Sequence, residues 1–219
     1  VWLRRADTSL AVFSIGLARS RELEAGGQPF ALFLLTTATH PPGGFPGPSC
    51  VQAGAYGDGS NSMLSAAHCS DAEITAFVHA IEAEAGPDTI VVVGSDHLQR
   101  ASGASAEFDR RGLARENLLL VRGSGRTGIV QREATTLDIA PTLLTLLGGK
   151  ADGVALGRNL LSGEPTLPEK YGRKDFDGMV QHWRTNLWRS WNTGGATAPA
   201  AERAPAIDGK GVATRRGLA

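Results

Sequence analysis

The first apolar residues of the chain recur at intervals of three and four positions: Leu10, Phe13 and Leu17. This spacing places them on one face of a helix. Asp7 or Thr8 can cap its start, and Gly26-Gly27 can end it. The pattern therefore predicts a helix over residues 8–25.

Two continuous apolar runs follow, and each ends in polar residues. The run 30–37 leads into Ala38-Thr39-His40, and the run 89–94 leads into Ser95-Asp96-His97. Unbroken apolar runs of this length are typical of strands that are covered on both faces. Between them, the Pro-, Gly- and Ser-rich stretch Pro41–Asn61 predicts a long surface loop, and unusually long loops are often functional.

A second helix is predicted immediately before the second run. Ser70-Asp-Ala-Glu73 has the form of a capping box. An apolar stripe then leads to Gly86-Pro87, which ends the helix; its members are Ile74, Phe77, Val78 and Ile81. The order of strand, loop, helix and strand over residues 30–94 predicts a parallel sheet with a right-handed crossover.

The second half of the chain contains one more strand pattern and two more helix patterns. Asn117–Arg122 is a short apolar strand, and Thr135–Gly148 is a helix with Pro141 near its first turn. Tyr171–Trp191 predicts a closing helix packed on the body. Its tryptophans favour a core or interfacial surface over a sugar-binding platform.

Composition narrows the class of protein. With 219 residues and 42% hydrophobic content, the chain can bury a core of one domain. Lys plus Arg and Asp plus Glu both number 22, so overall charge favours no nucleic acid partner. No apolar run approaches the ~18 residues that span a bilayer. The two cysteines, Cys50 and Cys69, are compatible with one disulfide or with two free thiols.

The polar ends of the two apolar runs are the candidate site. In a parallel sheet both ends open at the same edge, where ligands bind. Asp96 and His97 offer a carboxylate oxygen and an imidazole nitrogen to a divalent metal, and His40 can contact a phosphate ester. A structural alternative stays open, in which Asp96 begins a turn, His97 makes a local hydrogen bond and His40 only ends a strand.

Several of these segments, taken in order, resemble the sulfatase and alkaline-phosphatase superfamily. They are Gln28–Gly43, Cys69–Asp71, Asp88–His97, Leu137–Gly148 and Leu156–Ser162. The greatest similarity is to membrane-anchored phosphoglycerol transferases, the glucan-modifying and lipoteichoic-acid-synthase-like branch. The resemblance covers residues 1–165 and implies an α/β fold, a three-layer α/β/α sandwich of alkaline-phosphatase type. It implies that this chain holds only the C-terminal portion.

Three regions are expected on that basis. Residues 1–165 are the C-terminal part of a sulfatase-like catalytic domain, and residues 166–191 are a closing Trp-rich helical segment. Residues 192–219 are rich in Ala, Pro, Gly and Thr without periodicity, which predicts a disordered tail.

The resemblance also implies an activity and a location. Enzymes of this branch transfer a phosphoglycerol group from a phospholipid donor to a glucan or polyglycerol acceptor, with a threonine nucleophile and a divalent ion. We expect Mn²⁺, with Mg²⁺ or Zn²⁺ as alternatives. The expected location is the periplasm or the extracytoplasmic face of the cell membrane, through a membrane anchor upstream of this chain.

Residue roles follow from the same resemblance. Asp96 and His97 match metal ligands, and His40 matches a histidine that binds the substrate phosphate. Cys50 and Cys69 match positions where cysteines are frequent, which favours the disulfide. Pro41 stands where the branch often has a second histidine.

The nucleophilic threonine and the first metal carboxylate are expected upstream of Val1. The 219 residues alone are therefore expected to bind metal weakly and to catalyse nothing. Two other functions remain open. One is a sulfatase or phosphoethanolamine transferase of the same superfamily, and the other is a non-catalytic fragment that binds an anionic polymer.

Overall fold

The chain divides into two units, each described here by itself. The computed structural model describes residues 8–48, 50, 54–151 and 156–192. The first unit takes the residues up to Val130 together with Leu144–Gly149, and the second takes Gln131–Leu143 and the residues from Lys150 onward. No helix in the described part of the chain is both long enough and apolar enough to cross a bilayer.

Two helices pack against each other in the first unit. Helix α1 spans Thr8–Ala25, which confirms the prediction, and helix α2 spans Ser62–Glu84. Phe13 of α1 is buried and stacks on Phe77 of α2, with ring centroids 5.0 Å apart. A buried aromatic pair of this kind stabilises a helix contact beyond the burial of its area.

The predicted start of α2 at Ser70 is wrong. The helix begins eight residues earlier, where the side chain of Asn61 accepts a hydrogen bond from the Leu64 amide at 3.1 Å. Ser70 is buried inside the helix. A capping pattern forms a helix start only where the preceding backbone leaves the helix, and here the small residues before Ser70 continue it.

The disulfide between Cys50 and Cys69 is present, with an S–S distance of 1.97 Å. Both cysteines are buried. The link ties the long loop to the third turn of α2, and the described residues of Pro41–Asn61 are irregular apart from helical backbone at Pro48 and Cys50. The prediction of a long loop is therefore confirmed for the described residues.

The predicted parallel sheet is wrong for the described residues. Strands β1 (Val91–Gly94) and β2 (Leu119–Arg122) form a two-stranded antiparallel sheet, with Val91 opposite Arg122 and Gly94 opposite Leu119. The run 30–37 is extended but belongs to no sheet. An apolar run becomes a strand only where a neighbour supplies the ladder hydrogen bonds, and β1 finds that neighbour in β2. Helix α3 (Ser105–Arg111) lies between them in sequence.

In the described residues of the second unit the regular elements are helices, and residues 156–166 are irregular. A 3₁₀ turn at Thr136–Asp138 leads into helix α4 (Ile139–Leu146), whose first turn contains Pro141 as predicted. The residues of α4 up to Leu143 belong to this unit. Helices α5 (Leu167–Tyr171) and α6 (Arg173–Asn192) follow.

Helix α6 occupies the segment where a closing helix was predicted, and of the two positions expected for its tryptophans, core or interfacial surface, Trp188 has the surface one. Trp188 is 56% exposed, whereas Phe176 in the first turn is buried. Trp183 is half-buried. Residues 193–219, the predicted disordered tail, lie outside the described residues.

An ion pair holds the start of α5. Glu169 pairs with Arg132, whose Nη2 lies 2.5 Å from the Glu169 Oε2 atom. Glu169 also accepts the Thr166 amide in a reciprocal capping box. The hydrogen bonds from Arg132, followed by the one from Thr166, lower the pKa of Glu169 to about 2.

Stability is therefore expected to fall as the pH drops through about 2, since Glu169 must then accept a proton. A carboxylate whose pKa is lowered in the folded state contributes stability that is fully present above its ordinary pKa of 4.5. This stability is lost as the pH falls from 4.5 to about 2. Glu169→Gln should flatten the dependence of the unfolding midpoint on pH between 2 and 4.5. Urea titrations monitored by circular dichroism measure it, with Glu164→Gln, which leaves the Arg132 ion pair intact, as the control. An unchanged slope in Glu169→Gln would contradict the assignment.

Candidate metal-binding site

Ser95 ends the sheet and sets the position of the two residues that follow. Its amide donates to the Leu118 carbonyl at 3.0 Å, and its Oγ atom accepts from the Leu118 amide at 3.0 Å. These two bonds extend the β1–β2 ladder by one residue. Asp96 and His97 therefore emerge directly beyond the last paired position of the sheet.

The side chains of Asp96 and His97 lie side by side. Nε2 of His97 is 3.4 Å from Oδ2 of Asp96, and the two side chains are 53% and 69% exposed. Nδ1 of His97 lies 2.8 Å from the Leu98 carbonyl oxygen. Because a carbonyl only accepts, Nδ1 carries the proton in the neutral ring, and Nε2 presents its lone pair beside the carboxylate.

This arrangement fits a divalent metal. Ligand atoms about 2.1 Å from a tetrahedral ion lie about 3.4 Å from each other. Metal-binding histidines also commonly donate their second ring N–H to a backbone carbonyl, as Nδ1 does here. The local hydrogen bond of His97 is therefore compatible with both the structural and the metal-binding interpretation. Two ligands make half of a four-coordinate site.

His40 has the same local geometry at the end of the other apolar run. Its Nδ1 atom lies 2.7 Å from the Pro41 carbonyl, which leaves Nε2 available, and the side chain is exposed. The backbone of His40 is hydrogen-bonded at both of its polar groups. The His40 amide donates to the Thr37 carbonyl at 3.0 Å, and the His40 carbonyl accepts from the Gly44 amide at 3.2 Å. The ring therefore stands on a defined turn.

Hydrogen bonds join the turn of His40 to the loop that follows His97. The Gly103 amide donates to the Pro42 carbonyl at 2.9 Å, and Asn61 Nδ2 donates to the Gly103 carbonyl at 2.8 Å. Ser62 Oγ donates to the Gly43 carbonyl at 2.5 Å. The start of α2 thus holds the two loops together, although nothing in the local sequence around Asn61 indicates this role.

The three predicted site residues do not form one compact ligand set. Over the described ranges, the group of three metal-binding side chains within 4.8 Å of one another is Cys50, Cys69 and Glu73. Its two sulfur atoms are already bonded to each other, so they are not thiolate ligands. The structure pairs Asp96 with His97 and ties the His40 turn to their loop. The roles of these residues stay predictions.

Two of the segments quoted above for their resemblance pack together in the second unit. Asp138 is 1% exposed, and its carboxylate accepts hydrogen bonds from the Thr135 amide at 2.7 Å and the Arg158 amide at 2.6 Å. Thr142 donates to the Asp138 carbonyl and accepts from the Leu160 amide. A Cβ on Gly157 would meet the Leu137 carbonyl oxygen at 1.9 Å. These polar residues therefore have a structural role.

Comparisons with known proteins identify the family of this chain. The sequence model of the Sulfatase family matches residues 6–149. Phosphoglycerol transferase I of Escherichia coli O139:H28 (strain E24377A / ETEC) is 39% identical over 176 residues, which are 78% of this chain and 22% of that protein. Phosphoglycerol transferase I of Shigella flexneri is 38% identical over 176 residues, which are also 78% of this chain and 22% of that protein. The chain spans about a fifth of the length of these curated relatives. No solved structure matches it.

Proposed function

This chain belongs to the sulfatase family, and on that premise we propose that it is part of an enzyme that transfers a phosphoglycerol group with the help of a divalent metal. The single observation that carries the proposal is the pair of candidate ligand atoms, His97 Nε2 and Asp96 Oδ2, which lie 3.4 Å apart beyond the end of β1. The 39% identity to phosphoglycerol transferase I supports the choice of the transferred group.

The described residues at this site have two roles, metal binding and phosphate binding. Asp96 and His97 hold the ion, which when bound neutralises charge that develops on the phosphoryl oxygens. In its imidazolium form His40 carries a proton on each ring nitrogen, so Nδ1 donates to the Pro41 carbonyl and the exposed Nε2 donates to a phosphate oxygen. Polypeptide outside this chain supplies the threonine nucleophile and the remaining ligands, in line with the small share of the relatives that this chain spans.

We propose a phospholipid as the donor, a glucan or polyglycerol chain as the acceptor, and Mn²⁺ as the ion. We also propose an extracytoplasmic location at the cell membrane. The buried Cys50–Cys69 disulfide supports that location, since disulfides persist in oxidising compartments. The α/β content and the family match support a complete protein with a three-layer α/β/α sandwich.

The complete gene product is expected to move a ³²P-labelled glycerol phosphate headgroup from phosphatidylglycerol vesicles to an added glucan. Removing divalent ions with EDTA should abolish the transfer, and Mn²⁺ should restore it, because neutralisation of charge on the phosphoryl group is then lost and regained. The label on the glucan is counted after separation from lipid.

The 219-residue chain assayed in parallel is expected to transfer no label. Transfer by the complete protein that persists in EDTA would contradict the metal site. Release of sulfate from an aryl sulfate without phosphoglycerol transfer would replace the proposed activity with that of a sulfatase.

A further inference from the structure

Arg115 lies at the end of the sheet from which the metal pair Asp96 and His97 emerges. Strands β1 and β2 are antiparallel, with Gly94 at the end of β1 opposite Leu119 at the start of β2. The chain therefore leaves β1 and enters β2 at this same end. Arg115 comes four residues before Leu119, so it lies on the segment that returns to the sheet where the candidate metal site lies.

The guanidinium group of Arg115 contacts the loop that links the metal pair to the turn of His40. Its Nη1 atom donates a long hydrogen bond to the Gln99 carbonyl at 3.5 Å. The loop itself is held in place, since Gln99 Nε2 donates to Ser102 Oγ at 2.9 Å and the Gly103 amide donates to a carbonyl in the turn of His40. Arg115 is therefore bonded to the same connected loops that carry the metal pair and the candidate phosphate ligand.

Most of the N–H donors of Arg115 have no acceptor among the described residues. A guanidinium group carries five N–H donors, and the bond to the loop uses one of them. Arg132 differs, because its three side-chain nitrogen atoms donate to the Glu169 carboxylate and to two backbone carbonyls. A structural arginine of this protein thus uses the whole guanidinium group. Arg115 is exposed and keeps its Nε and Nη2 atoms without a described partner.

The positive charge of Arg115 also has no carboxylate partner within the described ranges. Most described arginines of the first unit form ion pairs with glutamates: Arg19, Arg21, Arg110, Arg111 and Arg122. The described arginines of this unit without such a partner are Arg100, Arg115 and Arg126. Arg100 lies in the loop that follows His97, whereas Arg126 lies beyond the opposite end of β2. Two uncompensated positive charges are therefore placed at the end of the sheet that carries the metal pair, where they favour an anion.

We propose that Arg115 is a substrate-binding residue whose Nε and Nη2 atoms donate to two oxygens of a phosphate ester. This edge of a guanidinium group matches the spacing of carboxylate and phosphate oxygens. Arg21 uses the same edge in this protein, with Nε and Nη2 at 2.7 and 2.6 Å from the two carboxylate oxygens of Glu84. The inference rests on the proposed function for the identity of the ester, which is the phosphoglycerol headgroup of the lipid donor.

Steady-state transfer by the complete gene product tests the inference. Arg115→Gln is expected to raise the KM for phosphatidylglycerol vesicles roughly 10- to 100-fold, because two hydrogen bonds from a charged donor are lost. The kcat should stay within about a factor of two, since the headgroup is bound in the ground state and the transition state alike. Arg115→Lys keeps the charge without the paired donors and should recover part of the loss.

Arg126→Gln is the matched control, because Arg126 is also exposed and has no described carboxylate partner but follows the opposite end of β2. It should leave KM unchanged. An unchanged KM in Arg115→Gln would overturn the inference. A fall in kcat at constant KM would do the same, because it would indicate that Arg115 only supports the structure of the loop.

Equilibrium dialysis separates the failure of this inference from the failure of the proposed function. With divalent ions removed by EDTA, the complete gene product is expected to bind ³²P-labelled glycerol phosphate, and Arg115→Gln should bind it about tenfold more weakly. This measurement requires no transfer. Weaker binding by the variant, together with no transfer by the wild type, would support the inference and remove the proposed activity. Equal binding by the wild type and Arg115→Gln, or binding by neither, would overturn the inference.

Discussion

Replacing Asp96 with alanine is expected to lower metal-dependent phosphoglycerol transfer by the complete gene product about a thousand-fold. Asp96 Oδ2 is one of the two atoms that we propose as metal ligands, and it lies 3.4 Å from the other, His97 Nε2. A metal that neutralises phosphoryl charge contributes several kcal/mol, and each factor of ten in rate corresponds to ~1.4 kcal/mol. Initial rates at saturating Mn²⁺ measure the loss, and isothermal titration with Mn²⁺ measures the accompanying loss of affinity.

The Asp96→Ala variant should fold normally, since its side chain is 69% exposed and lies outside the sheet ladder. Substitutions at exposed surface positions usually change stability by less than about 0.5 kcal/mol. Asp88→Ala is the matched control, because Asp88 is an exposed aspartate just before β1. It should retain wild-type transfer and metal affinity. Equal rates for Asp96→Ala and wild type would remove Asp96 from the metal site.

Replacing Gly123 with alanine is expected to destabilise the first unit by about 3 kcal/mol. Gly123 directly follows β2, with φ at +81°, and a Cβ there would lie 2.1 Å from the Thr89 carbonyl oxygen. The added methyl group must therefore push the backbone leading into β1 away from the end of β2. Because Asp96 and His97 follow β1 within three residues, the substitution also disturbs the candidate metal site.

Gly125→Ala separates the two physical causes. Gly125 has a φ of +69° but nothing within 4 Å of the added Cβ, so the variant carries only the conformational penalty, about 1 kcal/mol. Urea denaturation of both variants gives the free energies of unfolding. If Gly123→Ala lowers the free energy of unfolding no more than Gly125→Ala does, the backbone at Thr89 moves away from the added methyl group without an energetic penalty.

Local signals predicted the helices well. Helix α1 has the predicted bounds because both signals that define it are local in sequence. The apolar spacing sets the helix, and the glycines directly after Ala25 end it. The start of α2 was misplaced for the same reason. Ser70 and Glu73 have the right spacing for a cap, but the chain is already helical from Ser62, after the Asn61 cap.

Pairing between distant segments was not predictable in the same way. The apolar runs 30–37 and 89–94 predicted neighbouring parallel strands, whereas β1 pairs with β2 in the antiparallel sense. Both arrangements satisfy the same hydrophobic pattern, so the pattern cannot choose between them. The disulfide was open on cysteine count alone and was favoured by the family resemblance, and it is present.

The amino-acid sequence by itself determined what depends on neighbours along the chain: the helices, the turn residues and the adjacency of Asp96 and His97. It also carried the family membership, which rests on the order of its motifs. Only the tertiary structure decided that Ser95 locks onto Leu118, that Asn61 joins the loop of His97 to the turn of His40, and that Phe33 faces open space. The physical reason is that hydrogen bonds between distant segments and the coverage of an apolar face depend on which parts of the polypeptide meet, and no local pattern specifies that meeting.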